Sequence, residues 1–126
     1  MKKLIFLLAV LLLIPAQTNA KHKKVIEMGE FKVTAYCPCY ECSRNFGRRC
    51  AKKNTYARSN HTIAVDPNII DLGSKVKVGN KYYVAEDTGG RVKGDIIDVF
   101  FDTHEEVEEF GVKYKNVKVI KEKGDG

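Results

Sequence analysis

After residue 20 the apolar residues of this chain fall in short alternating runs, each stopped by a turn signal. That rhythm limits the folds open to it. In residues 30–36, Phe31, Val33 and Ala35 share one face while Lys32 and Thr34 share the other, the pattern of a half-buried strand. Thr62-Ile63-Ala64-Val65 is a second strand, ended by Asp66-Pro67. Residues 75–78 and 81–85 flank Gly79-Asn80, a hairpin signal. Residues 95–101 are mostly apolar on both faces, which predicts a central strand. Thr103-His104-Glu105-Glu106 fits a capping box and Gly111 fits a helix stop, so one short helix is expected, edged by Val107 and Phe110. Residues 113–122 alternate again and close the fold. Six short strands and one helix in 126 residues predict one all-β domain, a barrel in preference to a sandwich.

The first residues follow another rule. Met1-Lys2-Lys3 is a basic start, and Leu4 to Ile14 is a run of eleven apolar residues. Pro15 breaks it, and Thr18-Asn19-Ala20 offers the small residues a signal peptidase reads. Residues 1–20 are therefore expected to be a Sec signal peptide, cut after Ala20. Eleven helical residues rise about 16 Å, roughly half a bilayer core, so no stable membrane span is expected after cleavage. No cysteine follows the cut, which argues against a lipid anchor. Residues 21–29 read as a mobile basic lead, and residues 30–122 as the domain. Residues 21–65 carry ten basic side chains against three acidic ones, a net of +7, whereas residues 66–126 carry ten against thirteen. For an exported chain, secreted or held at the wall, such a basic half points to anionic envelope polymers or lipid headgroups before nucleic acid, and a solvated basic surface explains the charge equally well.

Residues 37–60 hold all four cysteines and no sustained period. In an exported small domain, Cys37, Cys39, Cys42 and Cys50 read as two disulfides. Extended backbone would point Cys37 and Cys39 the same way, which leaves Cys37–Cys42 with Cys39–Cys50, or Cys37–Cys50 with Cys39–Cys42. A four-cysteine zinc site is the rival reading. No cofactor and no metal is otherwise expected. A cysteine nucleophile is disfavoured because no histidine stands near in the sequence. His22, His61 and His104 read as surface or capping side chains, and Glu105, Glu106, Glu108 and Glu109 as a solvated helix face. Arg44, Arg48, Arg49, Lys52, Lys53 and Arg58 form a basic group with two readings, a soluble loop face or a contact for wall carboxylates and phosphates.

Three aspartates stand out for chemistry. Asp98 lies between Ile96 and Phe100 on an apolar row of its strand. A carboxyl placed there loses hydration and its pKa rises, which suits a general acid. A buried Asp satisfied by backbone N–H groups is the alternative. Asp66 and Asp87 stand at strand ends before tight turns, where Asp often accepts its own turn N–H groups.

Taken together, these segments resemble the 3D domain, named for its three aspartates. The matching stretches are Val33-Thr34-Ala35-Tyr36-Cys37-Pro38-Cys39, Thr62-Ile63-Ala64-Val65-Asp66-Pro67, Asp71-Leu72-Gly73-Ser74-Lys75-Val76, Ala85-Glu86-Asp87-Thr88-Gly89-Gly90, Lys93-Gly94 and Ile97-Asp98-Val99. The resemblance implies a six-stranded double-psi β-barrel and an exported wall-active protein akin to the barrel of the A-type membrane-bound lytic transglycosylase. It implies Asp98 as catalytic acid, Asp87 and Asp66 as supports, and Thr88, Gly89, Gly90, Lys93 and Tyr36 as substrate contacts. The implied activity is lytic cleavage of the MurNAc–GlcNAc bond of peptidoglycan glycan strands, with a non-catalytic wall or polysaccharide binder as the other reading. Thr55-Tyr56-Ala57-Arg58-Ser59-Asn60 departs from the family's usual Thr-Ala-Ser-Gly stretch, and Asp95 stands where an uncharged residue is common.

Overall fold

The computed structural model describes residues 3, 10–16 and 22–122. The expected cut after Ala20 lies outside them. Eight elements follow in order: β1 (Lys23–Tyr36), α1 (Tyr40–Ser43), β2 (Thr62–Ala64), β3 (Lys75–Val78), β4 (Lys81–Asp87), β5 (Ile96–Phe100), α2 (His104–Phe110) and β6 (Lys113–Glu122). The strands close into one barrel in the order β1-β5-β2-β4-β3-β6. Two pairs are parallel, β1 with β5 and β2 with β4, and the remaining contacts are antiparallel. This is the expected six-stranded double-psi barrel. Among the described residues, no helix is long and apolar enough to cross a membrane.

Two expectations need correction. Residues 23–29 are not a mobile lead: they extend β1 and pair with β6 from Lys23↔Glu122 to Gly29↔Val117. Basic side chains flanking this stretch hid its alternation, although Ile26 and Met28 pack against the core. Met28 is an extra residue between Glu27 and Gly29, a bulge in the ladder, and Gly29 takes the positive φ of 85° that such a bend favours. The second correction is α1, a single helical turn inside the segment read as irregular.

The barrel interior is filled by Phe31, Val33, Ile63, Val65, Val76, Ile97, Val99 and Val117, all almost wholly buried. Each such side chain contributes about 1.5–3 kcal/mol relative to remaining exposed. A second cluster lies outside the barrel wall: Tyr36, Ala57, Ala64, Val92 and Phe100, with Cys42, Cys50 and Ile96 packed against it. It explains why β5 is apolar on both faces. Ile97 and Val99 join the first cluster, while Ile96 and Phe100 join the second. Asp98 lies between these last two.

α2 begins and ends as expected. Thr103 accepts a hydrogen bond from the Glu106 N–H at 3.3 Å, and Gly111 caps the other end at φ 65°. Phe110 stacks at 5.3 Å on Phe101, which docks the helix beside the barrel.

Candidate active site

Four strands place the aspartates. In register, Thr34 of β1 lies beside Asp98 of β5, Asp98 beside Ala64 of β2, and Ala64 beside Asp87 of β4. The small side chain of Ala64 thus separates two carboxylates on the strands that flank β2, and adjacent strands lie about 4.8 Å apart. A cleft of ≈ 680 Å³ opens there. Asp98, Asp87, Ala64, Tyr36, Thr88, Gly89, Gly90 and Lys93 line it on the barrel side. Cys42, Ser43, Arg44, Phe46, Arg49 and Cys50 line it from the covering loop.

A bulge sets the position of Asp87. Between Ile63↔Ala85 and Ala64↔Asp87, β4 advances two residues while β2 advances one. Glu86 is the extra residue. Without it, the strand's alternation would bring Glu86 beside Ala64 and turn Asp87 to the other face. Glu86 is instead buried, accepting from the Thr62 hydroxyl at 3.0 Å and pairing with His61 Nε2 at 3.0 Å. His61 and Glu86 are therefore structural partners that sequence reasoning missed.

The three aspartates have different surroundings. Asp66 accepts from the N–H groups of Gly94 at 2.9 Å and Asn68 at 3.0 Å. These bonds, Gly94 first, hold its carboxyl below the usual carboxylate range. Asp87 accepts three hydrogen bonds: from the Tyr36 hydroxyl at 2.8 Å, the Ala51 N–H at 2.9 Å and the Thr88 N–H at 2.9 Å. Tyr36 stays protonated in return, since burial and the adjacent Asp87 both push its hydroxyl up. Among the described residues, Asp98 receives the Thr34 hydroxyl alone, at 3.1 Å. Burial pushes its carboxyl up to about 6, against the pull of Thr34 and with a further push from Asp87. The backbone-satisfied alternative fits Asp66, and Asp87 in part, but not Asp98. Thr34 had no signal in the sequence, because its partnership depends on the parallel register of β1 with β5.

Seven of the eight sequence-predicted aspartate and substrate positions line the cleft. Asp66 does not; its carboxylate holds the backbone at Asn68 and Gly94. Gly89 is required by close approach: a Cβ there would come within 2.9 Å of Val92 Cγ2. Of the basic group, Arg44 and Arg49 face the cleft. Arg48 is committed elsewhere, 2.7 Å from Asp102 and stacked at 5.3 Å over Phe100.

The cysteines depart from the expected staple. All four are free thiols. Cys37, Cys39 and Cys42 converge with His104, whereas Cys50 packs against the second cluster. The turn α1 folds residues 39–43 back on Cys37, with Ser43 N–H bonded to Cys39 O and Ser43 Oγ donating to Cys37 O at 2.6 Å. A small hairpin, Arg49 bridged to Tyr56, carries Cys50 away to the end of β4. His104 is no bystander at the helix start, contrary to expectation. The Cys50 thiol is pushed up to about 12 by burial, then by Asp87 and Glu86, so it is no nucleophile near neutral pH.

Comparison with known proteins bears on the family and the fold. Residues 61–121 match the 3D domain. YabE of Bacillus subtilis (strain 168), named for cell wall shaping, is 37% identical over 106 residues, which cover 83% of this chain and 25% of YabE. The cell wall-binding protein YocH of the same organism is 52% identical over 59 residues, 46% of this chain and 21% of YocH. The chain thus spans a quarter or less of these two relatives. The crystal structure of MltA from E. coli superposes with a TM-score of 0.51 at 21% identity, over 61% of this chain and 28% of MltA, a likeness of fold.

Proposed function

From the match of residues 61–121 to the 3D domain, we propose that this protein is an exported, wall-associated enzyme that cleaves peptidoglycan glycan strands as a lytic transglycosylase. The observation that carries the reading is Asp98, a carboxyl in a cleft with one hydroxyl partner and a pKa raised to about 6. Near that pH it exchanges a proton readily in both directions. Hydrolytic glycosidases usually use two carboxylates, one of them for water or the anomeric carbon. Lytic cleavage replaces the second with the muramic acid's own C6 hydroxyl, held in the same sugar at high effective concentration.

Asp98 protonates the glycosidic oxygen as the bond from the anomeric carbon breaks. The C6 oxygen then bonds to that carbon, and the Asp98 carboxylate takes the C6 proton. The acid is regenerated, no water is consumed, and the products are a 1,6-anhydromuramoyl end and a free GlcNAc hydroxyl. Asp87 and Asp66 brace the walls: Asp87 ties β1 and the covering loop to the Thr88 turn, and Asp66 fixes Gly94. Arg44, Arg49 and Lys93 supply positive charge for an acidic glycan or a neighbouring anionic wall polymer.

A second reading, a wall-binding module without turnover, draws on the name of YocH, which describes binding alone. Mass spectrometry of purified peptidoglycan incubated with the protein separates the two. Anhydromuramoyl ends are expected. Reducing muramic acid ends would indicate hydrolysis, and bound but uncut glycan would leave the binder.

A further inference from the structure

Behind the cleft wall, outside the reacting groups, four side chains with metal-ligand chemistry share one point. The sulfurs of Cys37, Cys39 and Cys42 and Nδ1 of His104 all lie within 4.8 Å of one another. His104 Nδ1 is 3.7, 3.5 and 3.5 Å from the three sulfurs in that order. A tetrahedral zinc with Zn–S of about 2.3 Å and Zn–N of about 2.0 Å separates its sulfur and nitrogen ligands by about 3.6 Å. The observed spacing brackets that edge. Cys37 Sγ and Cys39 Sγ are 3.1 Å apart, beyond the roughly 2.05 Å of a disulfide.

The surroundings fit a metal as well. With Nδ1 turned to the sulfurs, His104 presents Nε2 to Glu41 at 3.4 Å and Glu108 at 3.5 Å. A carboxylate on the far nitrogen fixes the tautomer and orientation of a ligating imidazole. Two of the sulfurs come from the residues just after β1 and the third from α1, and the nitrogen from the first residue of α2.

We propose that Cys37, Cys39, Cys42 and His104 bind one structural Zn²⁺. Thiolate-rich tetrahedral donors select zinc among common divalent ions. Four protein ligands leave no open position, so the ion is structural and not catalytic. It clamps α2 to the loop that forms the outer wall of the cleft, beginning one residue after Tyr36. The inference stands apart from the glycan reaction, and its test needs no activity.

Purified protein, stripped with chelator and titrated with Zn²⁺ alone, is expected to take up one ion per chain and to melt at a higher temperature when loaded. C50S should keep the full stoichiometry, and H104A should lose it. Because H104A could unfold, H104C provides a control whose thiolate can occupy the fourth position and retain zinc. A cobalt-loaded sample should show thiolate-to-metal charge transfer that is unchanged in C50S. Zinc lost in C50S but kept in H104A would overturn the ligand set in favour of four cysteines. Two disulfides in the intact mass, with no thiol open to alkylation after chelation, would overturn the site altogether.

Discussion

The barrel and the loop that covers it are held by different forces. Inside the barrel, Phe31, Ile63, Val76, Ile97 and Val117 exclude water almost completely. In residues 37–60 only Cys37 and Ala57 are buried, and the segment is fixed by polar contacts instead. Ala51 N–H reaches Asp87, Lys52 N–H reaches Glu86 O, and Arg48 holds Asp102. The cleft is the seam between these layers. Asp98 lies on the firm side, where the barrel register fixes it, and faces a side whose position rests on a few directional bonds. On the proposed function, such an arrangement would let a rigid acid meet a cover that adapts to a polymer.

The seam itself should give the largest effect. Asp98→Asn keeps the side chain's size but cannot deliver a proton, so turnover is expected to fall ~10²–10⁴-fold while glycan binding persists. In the wild type, turnover should decline as pH rises through about 6, because the protonated form is the acid. Stability follows the same titration. The folded-state pKa of about 6 exceeds the unfolded value, so this group's contribution is complete at low pH and is lost as pH rises through the folded pKa. The melting temperature of D98N relative to wild type should therefore increase across that window. A folded D98N with normal turnover would remove the single-acid mechanism.

Next in size is a cut into the barrel. Ile63→Ala, at a wholly buried position, should cost about 2–5 kcal/mol. Denaturant melts should show barrel and loop signals lost in one transition. If loop signals disappeared first, the two layers would be separate cooperative units. The smallest effect belongs to the loop's charges. Replacing Arg49, Lys52 and Lys53 by Ser should change the unfolding free energy by no more than about 0.5 kcal/mol per substitution. Binding to isolated wall should weaken at low salt, the difference fading as exposed charges are screened over about 8 Å at physiological ionic strength. Equal binding at every salt concentration would make the basic loop face an ordinary solvated surface.

The same division decides what could be read from the sequence. Alternation, the Gly79-Asn80 turn and the Thr103 cap were legible because each is a local rule. So was the oddity of Asp98, an acid on an apolar row. What escaped depends on register or on distant partners. Nothing local tells that Glu86 is bulged out of the ladder, that Thr34 meets Asp98, or that His104 returns to cysteines more than sixty residues earlier. Residues 23–29 escaped because their strand partner, β6, is at the opposite end of the domain, and the basic flank looked like solvent-facing chain. The disulfide expectation came from compartment and count, which carry no geometry.

The closure of β1 has a consequence for how the molecule is made. Both of its partners, β5 and β6, belong to the last third of the chain, and the pairing of Lys23 with Glu122 spans nearly the whole domain. Contacts so distant in sequence must wait for long loops to close, which places such folds among the slow ones, in milliseconds to seconds. A nascent chain ending before residue 113 lacks β6 and leaves the free edges of β1 and β3 exposed, a template for pairing with other chains. The final strand therefore works as the latch of the assembly line, and a truncation there should bring aggregation before it brings any change in chemistry.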